Sequence, residues 1–435
     1  MNNHNQTKST LIHHIMTLLR VRKFGALKYL MILGPGLVAT AAGNDAGGIA
    51  TYAVAGAQFG LKFLWLLIPL TIGLYIVQEM SARLGAVTGK GFSDLIRENF
   101  SLRTTVFMMI ILFVANAGVV VSNFAGMAAS FEMFGISKYI SVPLISIFLW
   151  WIIVKGNYHK VEKLFILMST ILLSYIAAAL FAKPYWGEVA INIVKPSFSF
   201  SPGYIGLLIA FVGTTIAPYM QMYAQSSVVE KGITMSTYKF ERIDTLIGCV
   251  FSNIVTLFII IATAYTLYPA GIKIESASDA AKALVPFAGN FAKILFGVGL
   301  LGASMLAAAV ISLTTSFSVC NAFGWECGVN RNLEEAPIFY SLFTILIVMS
   351  ATITLSPAIS LIQLLLSLQV LNGILLPVEL LFIMKLINNK TLMGKYTNHK
   401  VFNFSAWTIT ILVSICALLY IFMELFRIVS PLIKF

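Results

Sequence analysis

The sequence predicts an all-α polytopic membrane protein with eleven transmembrane helices, of which the first and the sixth are broken. Hydrophobic residues make up 59% of the 435 residues and charged residues 11%, whereas about a quarter of the residues in a soluble globular domain are charged. Apolar stretches of roughly 20 residues, the length that crosses a bilayer, recur along the chain. Two of them contain glycine or proline in their middle, which predicts that these helices are interrupted.

Eleven apolar stretches are long enough to be candidate spans, and short loops join them. They lie near residues 31–57, 62–82, 104–130, 139–155, 162–183, 204–229, 243–268, 291–317, 337–356, 358–384 and 402–428. We expect four units along the chain: a basic N-terminal segment (1–30), a first repeat of helices one to five (31–183), an inverted second repeat of helices six to ten (204–384), and an eleventh helix (402–428).

The first broken helix is predicted from the segment Gly34–Tyr52, GPGLVATAAGNDAGGIATY. A carboxylate near the middle of a bilayer costs about 2.5–3.5 kcal/mol on insertion scales, so Asp45 is expected to line an ion or substrate path. Glycine leaves helical geometry without a Cβ penalty, and three glycines flank this carboxylate: Gly43, Gly47 and Gly48. Unwound backbone at this depth presents carbonyl groups and helix ends to an ion in secondary transporters. The segment therefore predicts a discontinuous helix around an ion site.

The second broken helix is predicted within Gly203–Gln225, GYIGLLIAFVGTTIAPYMQMYAQ. Pro218 has no amide N–H and disfavours helical geometry at the preceding Ala217, so a break is expected over Gly213–Pro218. The alternative is that Pro218 only kinks a continuous helix. With the break, both repeats carry an interruption near the membrane midplane, and the site is expected between the two interruptions.

The formal charge of +12 does not indicate a nucleic-acid partner, because the basic residues are distributed as the predicted membrane topology requires. Most lysines and arginines fall in segments that are cytoplasmic if the N-terminus is inside, as the positive-inside rule requires. With eleven spans the C-terminus is then outside, and the basic stretch Lys8–Lys28 is expected to lie on anionic lipid. We therefore expect a monomeric integral protein of the bacterial inner membrane.

The reactive side chains do not predict an enzyme or a resident cofactor. The cysteines show no zinc-type spacing and are interpreted as packing residues; they are Cys249, Cys320, Cys327 and Cys416. The histidines occur in the N-terminal tail and in predicted loops, so no span carries one; they are His4, His13, His14, His159 and His399. No nucleophile–base pair or phosphate-binding loop stands out, so any energy for transport must come from a gradient.

The segment Gln78–Glu98, QEMSARLGAVTGKGFSDLIRE, resembles the loop between spans two and three of the NRAMP family of divalent-metal transporters. Further resemblances follow in order along the chain: Tyr158–Lys163, Lys183–Gly187, Asp244, Gly299–Gly302, Glu326–Gly328, Gln369–Pro377 and Leu392–Tyr396. Together they cover nearly the whole chain. The resemblance implies an eleven-helix, inverted-repeat amino-acid–polyamine–cation transporter fold that works by alternating access.

The chain departs from the family pattern at the predicted site. Where metal-transporting members carry Asp-Pro-Gly-Asn in helix one, the segment Asp45–Gly48 reads DAGG, with Asn44 beside it as a substitute for the lost amide. Where they carry Met-Pro-His in helix six, the segment Ala217–Tyr219 lacks the thioether and the histidine. Their acidic pair in helix three has no equivalent in Asn116–Met127, and Asn123 stands about where a glutamate is expected.

These departures predict the transported ion. Thioethers select soft transition metals, whereas carboxylate, amide and carbonyl oxygens with water suit Mg²⁺ and Mn²⁺. The pattern resembles the NRAMP-related magnesium transporters, so we expect transport of Mg²⁺, and also Mn²⁺, without proton coupling. One alternative is a proton-coupled Mn²⁺/Fe²⁺ importer in which Met220 or Asn44 replaces the missing ligands. The other is an organic-solute transporter, because one fold serves several functions.

The expected ion ligands come from the two breaks and from span ten, where family members place a glutamine close to the ion. They are Asp45, Asn44, Gly48, Ala217, Thr214 and Gln369, with Tyr219, Met220, Asn123 and Asn372 as secondary candidates. Asn372 is expected to bond between helices, and Met220 to pack unless the break is shifted towards it. Outside this set, Glu79 is expected to pair with Arg83 four residues on.

Overall fold

The computed structural model describes residues 44–155, 167–168, 170–328, 331–357 and 360–433, with side chains described up to residue 427. Within these ranges every regular element is a helix. The first seven α-helices are α1 (Ala46–Phe59), α2 (Leu67–Thr88), α3 (Phe92–Asn99), α4 (Leu102–Met133), α5 (Lys138–Val154), α6 (Ser174–Phe181) and α7 (Trp186–Val194).

The second half of the chain contains the helices that complete the bundle. They are α8 (Pro202–Thr215), α9 (Pro218–Glu230), α10 (Tyr238–Thr266), α11 (Ala292–Phe323), α12 (Pro337–Thr354), α13 (Leu361–Ile387) and α14 (Lys400–Ile433). Single helical turns occur at Ala277–Ala281, Val285–Ala288 and Lys390–Met393, and 3-10 turns at Gly60–Leu66, Ile171–Leu173, Lys282–Leu284, Gly289–Phe291 and Gly394–Tyr396.

The described helices identify an integral membrane protein. Eight stretches are long and apolar enough to cross a bilayer, and Ala46–Thr88, the first of them, contains both α1 and α2. Two further apolar helices, Lys138–Val154 and Ile171–Phe181, are shorter than a full span. These positions agree with the predicted stretches. The count of eleven stays a prediction, because residues 1–43 and 156–166 lie outside the described part of the chain.

The break in span six is confirmed. α8 ends at Thr215, Ala217 has extended backbone angles (φ −76°, ψ 140°), and α9 starts at Pro218. Proline fits the first turn of a helix because the N–H it lacks has no partner there. The chain therefore forms two half-helices, and the alternative of a simple kink is wrong.

The corresponding feature in span one is a helix start inside the bundle. α1 begins at Ala46, and Asp45 caps it in extended geometry (φ −71°, ψ 176°), with its side chain accepting a hydrogen bond from the Gly48 N–H. Residues 31–43, which would form the preceding half-helix, lie outside the described residues. The discontinuity of span one therefore stays a prediction. The start of α1 at Ala46, which would be the second half of this span, agrees with that prediction.

Small residues let α1 approach its neighbours closely. A Cβ added to Gly126 of α4 would lie 2.2 Å from the Ala46 Cβ, and one added to Gly56 would lie 2.0 Å from the Thr263 hydroxyl of α10. Close backbone approach through small residues is a common way of packing helices in membranes. This packing places the start of α1 in the interior, against α4, α8, α10 and α13.

Polar contacts hold the end of the bundle where α2 meets α10. Glu79 pairs with Arg83 at 3.1 Å, as expected, and accepts a hydrogen bond from the Tyr238 hydroxyl at 2.9 Å. Arg83 also donates to Asn398 and to the carbonyl of Tyr396. The four cysteines are free thiols, which agrees with their interpretation as packing residues.

Candidate functional site

The Asp45 carboxylate lies at the start of α1 and is 3% exposed. Its Oδ1 accepts from the Gly48 N–H at 2.8 Å, and its Oδ2 accepts from the Asn123 amide at 3.1 Å. A carboxylate has about four lone-pair sites, so two donors leave acceptor capacity on both oxygens. The helix N-terminus and the amide thus hold the group in place, and the remaining lone pairs are available to a cation.

Asn123 of α4 fixes both the carboxylate and the backbone next to it. Its Oδ1 accepts from the Ala46 N–H at 3.3 Å, while its Nδ2 donates to Asp45 and to the Val119 carbonyl. Both polar atoms of the Asn123 side chain therefore hold Asp45 or the backbone next to it in place. As a secondary ligand candidate, Asn123 is adjacent to the site, and its observed contacts are those of a positioning residue.

Gln369 of α13 lies between the start of α1 and the end of α8. A Cβ added to Gly47 would lie 1.8 Å from Gln369 Nε2, and one added to Gly213 would lie 2.3 Å from the Gln369 carbonyl oxygen. Its amide donates to Ser122 at 3.4 Å and accepts from Asn372 at 3.2 Å. Asn372 belongs to the same helix, so the expectation that it bonds between helices is wrong. The structure thus brings the start of α1, the end of α8 and the middle of α13 together, as the sequence predicts.

The end of α8 presents backbone oxygen to the same region. Pro218 has no N–H to donate to the carbonyl of Thr214, four residues earlier, so the interruption leaves this carbonyl without its usual helical partner. The Ala217 carbonyl accepts from the Met220 N–H at 3.0 Å and keeps a second lone pair. Both residues are buried. The break supplies neutral oxygen atoms of the kind that hard cations bind.

Tyr52 is a residue of this site that the sequence analysis missed. Its hydroxyl lies 3.1 Å from the Thr215 hydroxyl, close enough for a hydrogen bond between them. Its ring packs edge-on against Phe211, with centroids 4.9 Å apart. Tyr52 is two helical turns after Asp45 and therefore on the same face of α1, which is the signal that could have identified it.

The remaining candidates fall into two groups. Tyr219 and Asn44 are buried beside the carboxylate, and Tyr219 is close enough to interact electrostatically with Asp45. Gly48 contributes its N–H to Asp45. Met220 is directed towards α2, with its sulfur 3.9 Å from Gln78 Nε2, as expected of a packing residue.

Most atoms near Asp45 that could coordinate a cation are neutral oxygens. The described residues contain no group of three or more His, Cys, Asp or Glu side chains placed to hold a metal. Three or more such ligands are usual in permanently bound zinc sites. Around Asp45 the described residues instead offer one carboxylate with hydroxyl, amide and carbonyl oxygens, the ligand types that hard cations bind.

Two cavities lie at opposite ends of the bundle. One, of about 380 Å³, is lined by Lys90, Asp94 and Glu230, and burial raises the pKa of Asp94. The other, of about 530 Å³, is lined by Glu132 and Glu275. Asp45 and Ala217 line neither of these two cavities. Both residues are almost fully buried.

A buried carboxylate at the start of one membrane helix, beside the break in another, is an arrangement typical of secondary transporters. The sequence profile of the family called natural resistance-associated macrophage protein-like (Nramp) matches residues 36–423. The chain therefore belongs to the Nramp family. This family is one of transporters, not enzymes, in agreement with the sequence analysis.

Known relatives and solved structures agree with this assignment. The divalent metal cation transporter MntH of Verminephrobacter eiseniae is 24% identical over 409 residues, which cover 88% of this chain and 87% of the relative. A crystal structure of the Eremococcus coleocola manganese transporter has a TM-score of 0.73 at 18% identity, over 90% and 86% of the two chains. Mhp1, a nucleobase-cation-symport-1 family transporter, has a TM-score of 0.56 at 14% identity, over 89% and 92%. The fold is thus that of the amino-acid–polyamine–cation transporters.

Proposed function

We propose that this protein carries divalent metal cations across the membrane by alternating access, with Mg²⁺ as the preferred ion, Mn²⁺ as a second substrate, and no proton coupling. The observation that carries the proposal is the set of possible cation ligands around Asp45, which are oxygen atoms. Position 217 at the break is an alanine, and the sulfur of the nearby Met220 is directed towards Gln78. The Nramp relatives named divalent metal cation transporters support the general activity.

The preference for Mg²⁺ follows from the chemistry of the donors. Mg²⁺ requires near-octahedral oxygen coordination and keeps several waters, typically bound through one or two carboxylates. Asp45 offers one carboxylate, and the small side chain of Ala217 leaves space for retained water. On this basis we propose that the chain belongs with the NRAMP-related magnesium transporters. Direct coordination by Gln369, Thr214 and the other candidates is part of the same proposal.

Replacing Ala217 with methionine tests this selectivity. We expect Ala217→Met to lower the initial rate of Mg²⁺ uptake into proteoliposomes and to raise Cd²⁺ uptake relative to Mg²⁺. The longer side chain fills the space of a hydrated ion, and a thioether favours softer metals. Ala217→Ser, which adds only a hydroxyl, is the matched control and should change the Mg²⁺-to-Cd²⁺ ratio much less. Equal ratios in the wild type and Ala217→Met would show that position 217 does not face the ion.

Proton coupling requires a group that changes protonation during the transport cycle, and histidine is the usual one near neutral pH. Of the five histidines, His399 is the one in the described residues, and it precedes α14. Position 219, beside Asp45, is a tyrosine, and Asn123 of α4 is a neutral amide bonded to the carboxylate. These features support movement of the cation without a coupled proton.

The test is metal entry with a simultaneous reading of internal pH. Sealed proteoliposomes given an inward Mg²⁺ or Mn²⁺ gradient, with charge compensation, should take up metal while an internal pH dye stays constant. Empty liposomes control for leakage. Acidification of the lumen in proportion to metal uptake would contradict the uncoupled mechanism.

The relatives favour a second candidate function, proton-coupled import of Mn²⁺, because similar proteins are named manganese transporters. The liposome assay separates the two candidates directly. An organic solute is a weaker alternative, since the likeness to Mhp1 concerns the fold alone and Asp45 would repel an anionic carboxylate.

We further propose that the end of the bundle carrying Lys90, Lys231 and Lys385 is cytoplasmic, on the distribution of basic residues. The N-terminus would then be inside and the C-terminus outside a bacterial inner membrane. The four-unit division of the chain and the monomeric state belong to the same proposal. Single-cysteine labelling from each side of the membrane tests the orientation.

A further inference from the structure

Glu379 of α13 is a buried carboxylate without a partner in the described structure. It is 1% exposed, and neither of its oxygens accepts a hydrogen bond from a described residue. Asp45 and Glu79, by contrast, are held by donors or by an ion pair. A carboxylate removed from water without compensation costs several kcal/mol, roughly as for any unpaired ion in a protein interior. A bound cation would supply the partner that this carboxylate lacks.

The position of Glu379 links it to the ion site. Gln369, Asn372 and Glu379 are spaced by three and seven residues, which places them along one face of α13. Gln369 contacts the start of α1, and Asn372 is fully buried with a side-chain oxygen that has no partner. A rise of 1.5 Å per residue puts Glu379 about 15 Å along the helix from Gln369. The face thus runs from the ion site towards the Lys385 end.

Two aromatic rings pack against each other one helical turn beyond Glu379. Phe382, one turn further along α13, packs edge-on against Phe100, with ring centroids 5.0 Å apart. Phe100 precedes α4 at the same end of the bundle as Lys90. Phe382 is therefore nearer than Glu379 to the predicted cytoplasmic end of α13, and Phe100 packs against it there.

We propose that Glu379 is a second cation-binding station, separate from Asp45, that receives the divalent ion on the predicted cytoplasmic half of its path. This inference rests on the proposed transport of a divalent cation. The ion leaves Asp45, passes the free oxygen of Asn372 and is held by the Glu379 carboxylate when the Phe100–Phe382 contact opens. The carboxylate lowers the electrostatic cost of moving a divalent ion through an apolar interior.

The test separates ion flux from ion binding. Glu379→Gln, an uncharged isostere, should fold, because a neutral residue costs less in this position. We expect it to reduce the initial rate of Mg²⁺ uptake into proteoliposomes about tenfold or more, since each 1.4 kcal/mol of lost stabilisation slows a step about tenfold. The dissociation constant for Mn²⁺ at Asp45, measured by calorimetry on purified protein, should stay within about twofold, as for distant independent sites.

Two further variants complete the experiment. Glu379→Asp keeps the charge and should retain most of the flux, while Glu98→Gln removes an exposed carboxylate paired with Lys90 and should leave the flux unchanged. Wild-type flux in Glu379→Gln overturns the proposal. Misfolding of this variant, or loss of its Mn²⁺ binding, also overturns it, because either result would give Glu379 a structural role. Luminal acidification that disappears in Glu379→Gln would make the residue a proton carrier and also overturn it. If wild-type protein moves no divalent ion, the proposed function itself fails.

Discussion

Replacing Asp45 with asparagine is expected to abolish divalent-metal transport while leaving the helix bundle assembled. The amide can still cap α1, because Asn and Asp are similarly effective at a helix N-terminus. It removes the negative charge, however, and with it the strongest attraction for a divalent cation in the site. The cost of a charge in the membrane interior also disappears, so folding and insertion should not suffer.

The measurement is the initial uptake of Mg²⁺ and Mn²⁺ by proteoliposomes, together with thermal unfolding in detergent with and without metal. Ligands that bind the folded state raise its stability by mass action, so metal should stabilise the wild type and not Asp45→Asn. Glu326→Gln, which removes a carboxylate from an exposed loop where it pairs with Arg331, is the control. Wild-type flux in correctly folded Asp45→Asn protein would exclude the carboxylate from transport.

Replacing Gly213 with alanine is expected to impair both stability and transport. The added Cβ would lie 2.3 Å from the backbone oxygen of Gln369 and 2.3 Å from the backbone nitrogen of Gly373. Backbone atoms cannot rotate away as a side chain can, so α8 and α13 must separate. Overpacking of a close-packed interior typically costs about 1–3 kcal/mol, and here the displacement moves Gln369, which contacts both helix interruptions.

A second glycine of the same helix provides the matched control. Gly203, in the first turn of α8, has open space where its Cβ would stand. Gly203→Ala should therefore retain the wild-type melting temperature and flux, whereas Gly213→Ala lowers both. Equal melting temperatures for the two variants would mean that α8 and α13 are not packed as closely as the structure shows.

The sequence was sufficient to locate the two centres of the site. Asp45 with its flanking glycines and Pro218 after Ala217 are local signals, because glycine and proline act on their own backbone and a carboxylate in an apolar stretch is conspicuous. The break in span six and the start of α1 at Ala46 agree with them. The pairing of Glu79 with Arg83 was also local, since residues four apart on a helix are neighbours.

The partners of these residues could not be predicted in the same way. Asn123 bonds to Asp45 from 78 positions away in sequence, and Tyr52 bonds to Thr215 from 163 positions away. Contacts between residues so far apart in sequence produce no periodic pattern from which they could be predicted. Asn123 was expected near the site through resemblance to a family, and its double hydrogen bond, to the carboxylate and to the Ala46 N–H, is known from the structure.

The sequence by itself determined the membrane-spanning class, the break in span six, and Asp45 as the carboxylate of the candidate site, because hydropathy, proline and glycine act within a few residues of the chain. Tertiary structure decided which atoms of Gln369 approach Gly47 of α1 and Gly213 of α8, that the Met220 sulfur is directed towards Gln78, and that Glu379 is buried without a hydrogen-bond partner among the described residues. These facts depend on which helices lie side by side and how closely their small residues let them approach. That is a property of the whole packed bundle, which no single stretch of the chain encodes.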